Sequence, residues 1–292
     1  MATSKFANKS YLLVGGTSGI GKAVGKALVN EGARVTILGR TQPDDFKEVT
    51  FIKGDLTLAR DAKRLGQNVD VSTVDAILFT NGITGPPQRK ASAEGIEIDM
   101  AVSTLSRYAF MDGVLSKVGL QRLGAGRVEK AQKPRVFVWG YPGDNVTATV
   151  GDLNAEKKYV AADCHMNTVV VNEVFVSYLA DQDPGINVYG VKPGLVNTGL
   201  QTKYAGMYMG DFLANMIVGT LSYFFIPTPD QYAVDSVLPI LASSDLEDKN
   251  KSLWTASKVS VPPNQWLEKE GNRQKVLQES LGLLKRAYEA KI

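Results

Sequence analysis

Cysteine and histidine are nearly absent from this chain of 292 residues, which has one of each, Cys164 and His165. A lone cysteine excludes an intramolecular disulfide, so the sequence favours a reducing compartment. Zinc and iron sites normally need two or more histidine or cysteine ligands, and none cluster in this sequence. We therefore expect no metal site.

An excess of charge of one sign is also missing. The net charge is +3, and no basic tract alternates with aromatic residues, which gives little support to nucleic-acid binding. Residues 1–10 are polar and lack the apolar segment of a secretory signal. We therefore expect a cytoplasmic protein that does not bind nucleic acid.

One long apolar stretch is present, at residues 205–226, and it is about as long as a membrane span, which needs about 20 residues. Asp211 and Asn215 interrupt it, and its glycines weaken it as a helix. We favour a buried helix or a helix that covers the substrate. Peripheral membrane contact is the less favoured alternative.

Strand-like and helix-like segments alternate along the first two thirds of the chain. Short apolar runs predict strands at 11–15, 35–38, 49–52, 76–79, 136–139 and 186–191. Apolar residues at helical spacing predict helices at 20–30, 57–66, 94–119 and 158–182. The alternation predicts an α/β fold, a Rossmann-type doubly wound parallel sheet in a single domain, 1–292.

The alternation stops after Pro193. Residues 195–226 form the apolar insert, and 230–241 and 253–255 are predicted as a helix and a last strand. A C-terminal helix is predicted at 265–290, where apolar residues recur every three or four positions. This helix either closes over the substrate or pairs with another subunit.

A glycine-rich turn lies between the first predicted strand and the first predicted helix. It runs Gly15, Gly16, Thr17, Ser18, Gly19, Ile20, Gly21. Close approach of a backbone to a pyrophosphate needs residues without a Cβ that can adopt positive φ. The following helix N-terminus offers free N–H groups and the positive end of its dipole. In this position the turn predicts a dinucleotide-binding site.

The end of the second strand normally selects the cofactor, because an acidic residue there binds the adenosine ribose and an arginine accommodates the 2′-phosphate of NADP. Here Arg40 stands at that end, and no carboxylate precedes Asp44. We therefore predict NADP(H) as the cofactor, with Arg40 on the 2′-phosphate and Thr17 and Thr41 as supporting donors. Asp44 and Asp45 would serve NAD if their loop folds back.

Four motifs in order resemble those of the short-chain dehydrogenase/reductase superfamily, over nearly the whole chain to about residue 245. They are the glycine turn with Val14 in place of the family's threonine, Gly54-Asp55-Leu56, Thr80-Asn81-Gly82-Ile83 and Pro193-Gly194-Leu195-Val196-Asn197-Thr198. The resemblance is nearest to the retinol-dehydrogenase-like branch and to fungal biosynthetic members. It implies cofactor contacts by Gly15, Thr17, Ser18, Gly19, Ile20, Gly21, Arg40, Asp55, Leu56, Asn81, Gly82, Pro193, Gly194, Val196 and Thr198.

The resemblance also implies hydride transfer to or from a nicotinamide ring, with a catalytic tyrosine, a lysine four residues later, a serine and an asparagine. Tyr159 stands at the tyrosine position, but Asp163 replaces the lysine. Gly140 or Tyr141 falls at the serine position and Ser103 at the asparagine position. The tetrad is thus degenerate, and the candidate catalytic residues are Tyr159, Tyr141, Asp163 and Ser103.

Three functions stay open. The favoured one is an NADP(H)-dependent oxidoreductase of specialised metabolism in which Lys157, Lys158 or His165 replaces the lysine. His165 lies six residues past Tyr159, about 240° around an ideal helix, so direct help from it is not favoured. The second is a non-redox enzyme, an isomerase, epimerase, dehydratase or cyclase. The third is a non-catalytic NADP(H)-binding protein.

The insert at 195–226 occupies the position of the family's substrate-covering lid. Its methionines and aromatic residues indicate a bulky apolar small molecule as substrate, although they also suit an ordinary core. The resemblance further implies a homodimer or homotetramer formed through the helices at 94–119 and 158–182.

Overall fold

Eight strands form one sheet in the computed structural model, which describes residues 4–127, 132–143, 145–198, 226–247 and 249–291. The strands are β1 (Ser10–Val14), β2 (Arg34–Gly39), β3 (Thr50–Lys53), β4 (Ala76–Phe79), β5 (Arg135–Trp139), β6 (Asn187–Lys192), β7 (Leu253–Thr255) and β8 (Ser260–Val261). Their order across the sheet is β3-β2-β1-β4-β5-β6-β7-β8. Strands β1 to β7 pair in parallel, and β8 runs antiparallel to β7.

Helices cover both faces of this sheet. They are α1 (Gly19–Asn30), α2 (Ala59–Asn68), α3 (Ile98–Met100), α4 (Ser106–Leu115), α5 (Ala161–Gln182), α6 (Pro229–Tyr232), α7 (Leu238–Leu241) and α8 (Asn272–Glu289). Two π-helical turns, Ala101–Leu105 and Ala233–Val237, join α3 to α4 and α6 to α7, and a 3₁₀ turn spans Gly119–Gln121. The predicted α/β doubly wound parallel sheet is confirmed.

The central strands are apolar on both faces because helices pack on each side of a parallel sheet. Every residue of β4 and of β5 is buried, including the two ends, Ala76 and Trp139. Strand order reverses direction between β1 and β4, which places a crevice at the carboxyl ends of those two strands. In open α/β sheets, ligands bind at such a switch point.

Several boundaries differ from the sequence prediction. The helix predicted at 158–182 begins at Ala161, so Tyr159 precedes the helix and does not lie on it. The helix predicted at 94–119 begins at Ile98 and changes to π-helical geometry at 101–105. The two-residue strand β8 was not predicted, because so short a segment carries no periodicity.

Most of the predicted substrate lid, 195–226, lies outside the described residues, which omit 199–225. In the part of the chain that is described, no helix combines the length and the apolar character needed to cross a membrane.

The C-terminal helix α8 packs on α5 and α2 of its own chain. Its apolar stripe includes Val276 and Ala287, both fully buried. The Glu279 carboxylate accepts hydrogen bonds from the backbone N–H groups of Gly151 and Leu153, at 2.6 and 2.7 Å. The apolar face of the helix is therefore already covered within one chain.

Helices α2 and α4 approach so closely that glycine is required at their contact. A Cβ built on Gly113 of α4 would lie 2.2 Å from the carbonyl oxygen of Lys63 in α2, and one on Gly66 would lie 2.1 Å from the carbonyl oxygen of Phe110. Backbone atoms on both sides of this contact leave little room for adjustment.

We predict that Gly113→Ala lowers the free energy of unfolding by about 2 kcal/mol, because the added methyl group overlaps backbone atoms. In an open helix position the same change normally stabilises by about 1 kcal/mol. Gly282 of α8 is a matched control, since a Cβ there would meet no heavy atom within 4 Å. Urea denaturation should show opposite signs for Gly113→Ala and Gly282→Ala, and a stabilised Gly113→Ala protein would contradict the close contact.

Candidate cofactor and active site

The glycine turn after β1 lies directly against the residue that follows β4. Gly15 has a φ of +96°, and a Cβ on it would lie 2.4 Å from the backbone nitrogen of Asn81. The backbone N–H groups of Thr80 and Asn81 both donate to the carbonyl oxygen of Val14 at 3.0 Å. A Cβ on Gly21 would lie 2.5 Å from the carbonyl oxygen of Gly15. The turn can therefore be built only from glycine at these positions.

Helix α1 starts at the end of this turn, with Ser18 as its extended N-cap residue and Gly19 as its first residue. The Ser18 side chain makes no capping hydrogen bond, so the N–H groups of the first turn, Ile20 among them, point outward with the positive end of the helix dipole. Asn81 carries a buried Oδ1 atom without a partner among the described residues. The uncapped N-terminus of α1 and the unpartnered Oδ1 atom of Asn81, both at the switch point, are suited to bind a dinucleotide.

In the loop after β2, one arginine is exposed, and two of the three carboxylates, Asp44 and Asp45, pair with lysines. Arg40 follows the last residue of β2 and is exposed. Asp45 accepts hydrogen bonds from Lys22 at 2.7 Å and Lys26 at 2.9 Å, which hold the pKa of Asp45 well below its ordinary value. Asp44 pairs with Lys47 at 3.2 Å. This arrangement does not favour the alternative in which Asp44 or Asp45 binds the ribose of NAD.

Thr17 also lies at the end of β2, because a Cβ on Gly39 would be 2.3 Å from its Cγ2 atom. On the far side of the turn, Thr198 lies near the start of α1, since a Cβ on Gly19 would be 3.6 Å from the Thr198 Cγ2 atom. The structure thus brings the motif after β6 to the glycine turn.

The remaining predicted cofactor residues lie at the carboxyl ends of β3, β4 and β6. Asp55 is exposed and accepts a hydrogen bond from Thr57 N at 3.0 Å, whereas Leu56 and Val196 are buried. Gly82, Pro193 and Gly194 are loop residues, and Gly194 has a φ of +71°.

A hydrogen-bonded cluster lies beside the loop that leaves β4. Ser103, in the first π-helical turn, accepts from the backbone N–H of Ile83 at 3.0 Å and donates to Asp99 Oδ1 at 2.5 Å. The other Asp99 oxygen, Oδ2, lies 2.8 Å from His165 Nδ1. Asp99 is fully buried, and the His165 side chain is 25% exposed. We call Asp99, Ser103 and His165 the aspartate cluster.

Arg107 ties the carboxyl ends of the two central strands to α5. Its guanidinium is buried and donates to the carbonyl oxygens of Asn81 at 2.5 Å and Trp139 at 2.8 Å and to Asn172 Oδ1 at 3.0 Å. Burial lowers the pKa of Arg107, and the negative charge of Asp99 acts in the opposite direction. Asn172 in turn donates to the carbonyl oxygen of Ser103 at 3.1 Å.

The structure does not bring Tyr159 and Asp163 together as an acid-base pair. The Tyr159 hydroxyl donates to the carbonyl oxygen of Pro86 at 2.5 Å. Burial, with a smaller contribution from Glu97, raises the pKa of Tyr159 to about 12. Asp163 is exposed in the first turn of α5, about 200° around the helix from His165. The angular argument against His165 fails because it placed Tyr159 on the helix.

Tyr141 lies just beyond β5 in a left-handed conformation, with a φ of +57°, which is uncommon for a residue with a side chain. The Nζ atom of Lys192, at the end of β6, lies 4.6 Å from the centre of its ring. Tyr141 therefore stands at the same edge of the sheet as the glycine turn.

Sequence analysis missed three residues of this region: Asp99, Arg107 and Asn172. A signal was present, because Asp99, Ser103 and Arg107 recur every four residues. That spacing places them along one face of a helix.

Comparison with known proteins identifies the family. The family model described as short chain dehydrogenase matches residues 9–128. The uncharacterized oxidoreductase YKL107W of Saccharomyces cerevisiae is 33% identical over 270 residues, which cover 91% of this chain and 84% of that protein. The chain belongs to the short-chain dehydrogenase/reductase family.

More distant relatives share the fold. The L-fucose dehydrogenase of Mus musculus is 24% identical over 231 residues, or 76% of this chain and 77% of that protein. The ligand-free structure of Thermoplasma acidophilum aldohexose dehydrogenase superimposes with a TM-score of 0.61 at 17% identity, covering 87% of this chain and 94% of that one. This short-chain dehydrogenase/reductase is thus an oxidoreductase by family, and the structural match at 17% identity shows the fold alone.

In this short-chain dehydrogenase/reductase we predict that Arg107→Met lowers the free energy of unfolding by about 3 to 5 kcal/mol, because it strips buried acceptors of their donors. Arg64 is a matched control, because it forms an exposed pair with Asp61 at 3.1 Å and is 63% exposed. Arg64→Met should cost less than about 1 kcal/mol. Equal effects of the two substitutions in urea denaturation would refute the central role of Arg107.

Proposed function

We propose that this family member is an NADP(H)-dependent oxidoreductase of the cytoplasm, acting on the carbonyl or alcohol of a bulky apolar small molecule in specialised metabolism. The preference for NADP(H) over NAD(H) is based on the charged residues of the loop after β2. Arg40 is exposed beside the glycine turn, while Asp44 and Asp45 are already paired with lysines. A 2′-phosphate would therefore meet a cation there, whereas the two carboxylates nearest to Arg40 in the sequence, Asp44 and Asp45, are already paired.

The chain's residues divide the task of holding the cofactor. The turn from Gly15 to Gly21 would hold the pyrophosphate, and Arg40 with Thr17 the 2′-phosphate. Asp55 and Leu56 would face the adenine. Asn81, Gly82 and the motif Pro193, Gly194, Val196 and Thr198 would border the nicotinamide half. When bound, NADPH supplies the hydride for carbonyl reduction.

The support for an apolar substrate comes from composition. The stretch after Thr198 is rich in methionine and aromatic residues and follows directly on the motif that borders the nicotinamide half. Apolar, aromatic linings are typical of small-molecule sites.

Redox activity is tested by incubating the protein and NADPH with a panel of aliphatic aldehydes, cyclic ketones and aromatic ketones. We expect NADPH consumption that matches alcohol formation for at least one bulky apolar member. Tight NADPH binding without consumption on any member would contradict the proposal. Product formation without a net change in the cofactor's redox state would point to isomerase-type chemistry instead.

Cofactor choice is tested at Arg40. We predict that Arg40→Ala raises the Kd for NADPH about 10- to 100-fold, because a charge-assisted hydrogen bond contributes about 1.5 to 3 kcal/mol. The Kd for NADH should change less than about twofold, since NADH has no 2′-phosphate. Fluorescence titration of the reduced cofactors gives both values.

Arg34 provides the matched control, because it is an exposed arginine at the opposite end of the same strand. Arg34→Ala should leave both dissociation constants unchanged. Equal losses of NADPH affinity in the two variants would show a general charge effect and would remove the argument for a 2′-phosphate site.

A further inference from the structure

The chain's only histidine belongs to a line of hydrogen bonds that begins at the carboxyl end of β4. The Ile83 N–H donates to Ser103, Ser103 donates to Asp99, and Asp99 Oδ2 meets His165 Nδ1. A Cβ on Gly82 would lie 3.7 Å from Ser103 Oγ, so the cluster borders the loop between β4 and α3. This loop opens on the switch point, where ligands of such sheets bind.

Burial gives Asp99 a definite effect on the histidine. A carboxylate without solvent contact needs hydrogen-bond donors on its oxygens, and Ser103 and His165 supply them at 2.5 and 2.8 Å. The neutral histidine must therefore carry its hydrogen on Nδ1. Nε2 then lies on the other side of the ring from Asp99 and is the nitrogen that can exchange a proton.

Two other candidates, Tyr159 and Asp163, are less suited to this role. Tyr159 donates its hydroxyl hydrogen to a backbone carbonyl, and burial raises its pKa to about 12. An efficient general acid needs a pKa near the working pH. Asp163 is exposed and is turned away from His165 on α5.

We propose that His165 is the general acid-base of this enzyme and that Asp99 is its positioning residue. In carbonyl reduction, Nε2–H of the protonated ring donates its proton to the carbonyl oxygen while the carbonyl carbon gains the hydride that NADPH supplies. The C=O π bond breaks, C–H and O–H bonds form, and the ring becomes neutral with Nδ1–H still on Asp99. Alcohol oxidation reverses these transfers. This inference rests on the proposed function.

The first test measures kcat with a substrate that the panel of carbonyl compounds has identified. His165→Asn keeps an N–H donor for Asp99 but has no group that exchanges protons. We expect kcat to fall at least 100-fold, within the range for loss of a general acid-base group, about 10²- to 10⁴-fold. The Kd for NADPH should stay within about twofold because the cofactor half is untouched. His165→Gln should lose activity similarly.

Asp99→Ala should lower kcat at least about 10-fold through misorientation of the ring. Asp181→Ala is the matched control, an exposed carboxylate near the end of α5 paired with Lys251. It should leave kcat unchanged.

A second readout needs neither cofactor nor substrate. Because the chain has one histidine, the ¹⁵N NMR spectrum of its imidazole contains one pair of ring signals. We expect the neutral ring of the cofactor-free protein to be protonated on Nδ1, and Asp99→Ala to shift it towards the Nε2–H form that free histidine favours. Asp181→Ala should keep the wild-type tautomer.

The outcomes separate the two proposals. No turnover by the wild type on any substrate defeats the proposed function. If the His165→Asn variant keeps its turnover, His165 is not the general acid-base. Loss of turnover in Tyr159→Phe or Tyr141→Phe would then assign that role to the tyrosine. An Nε2–H ring in the wild type defeats the role of Asp99.

Discussion

One guanidinium without access to water connects the carboxyl ends of the two central strands to α5. Arg107 donates to the carbonyl oxygens of Asn81 and Trp139, which stand at the ends of β4 and β5, and to Asn172 on α5. A buried cation is costly unless its donors are matched by acceptors, so these three groups are held in place together. Asn172 also donates a hydrogen bond to the carbonyl oxygen of Ser103, and the Ser103 hydroxyl donates one to Asp99. One buried charge therefore links the ends of β4 and β5 to the aspartate cluster through Asn172.

The two halves of the site are built by different physical means. The cofactor half depends on space, because Gly15 lies against Asn81 where no side chain would fit, and the turn leads to an uncapped helix N-terminus. The aspartate cluster depends on hydrogen bonding, because both oxygens of a buried carboxylate need hydrogen-bond donors. A shared fold does not fix the residues of the second half, because the same fold can hold different sites.

The sequence predicts the seven parallel strands to within one residue, because buried parallel strands are simple apolar runs. It predicts the glycine turn because sterics allow no other residue there. It misses the contact between Asp99 and His165, which are 66 residues apart and meet only after α3 and α5 pack. It also places the start of α5 too early, since the N-cap residue Val160 offers no capping side chain that would mark the boundary.

The C-terminal helix α8 also holds the segment that connects β5 to α5. Glu279 accepts hydrogen bonds from the backbone N–H groups of Gly151 and Leu153, and Arg286 pairs with Glu156 at 3.0 Å. Two residues of α8 therefore hold the connection between β5 and α5 in place. That connection delivers the chain to Tyr159 and then to His165. A chain shortened at its carboxyl end would therefore lose the contacts that hold the segment leading to Tyr159 and His165.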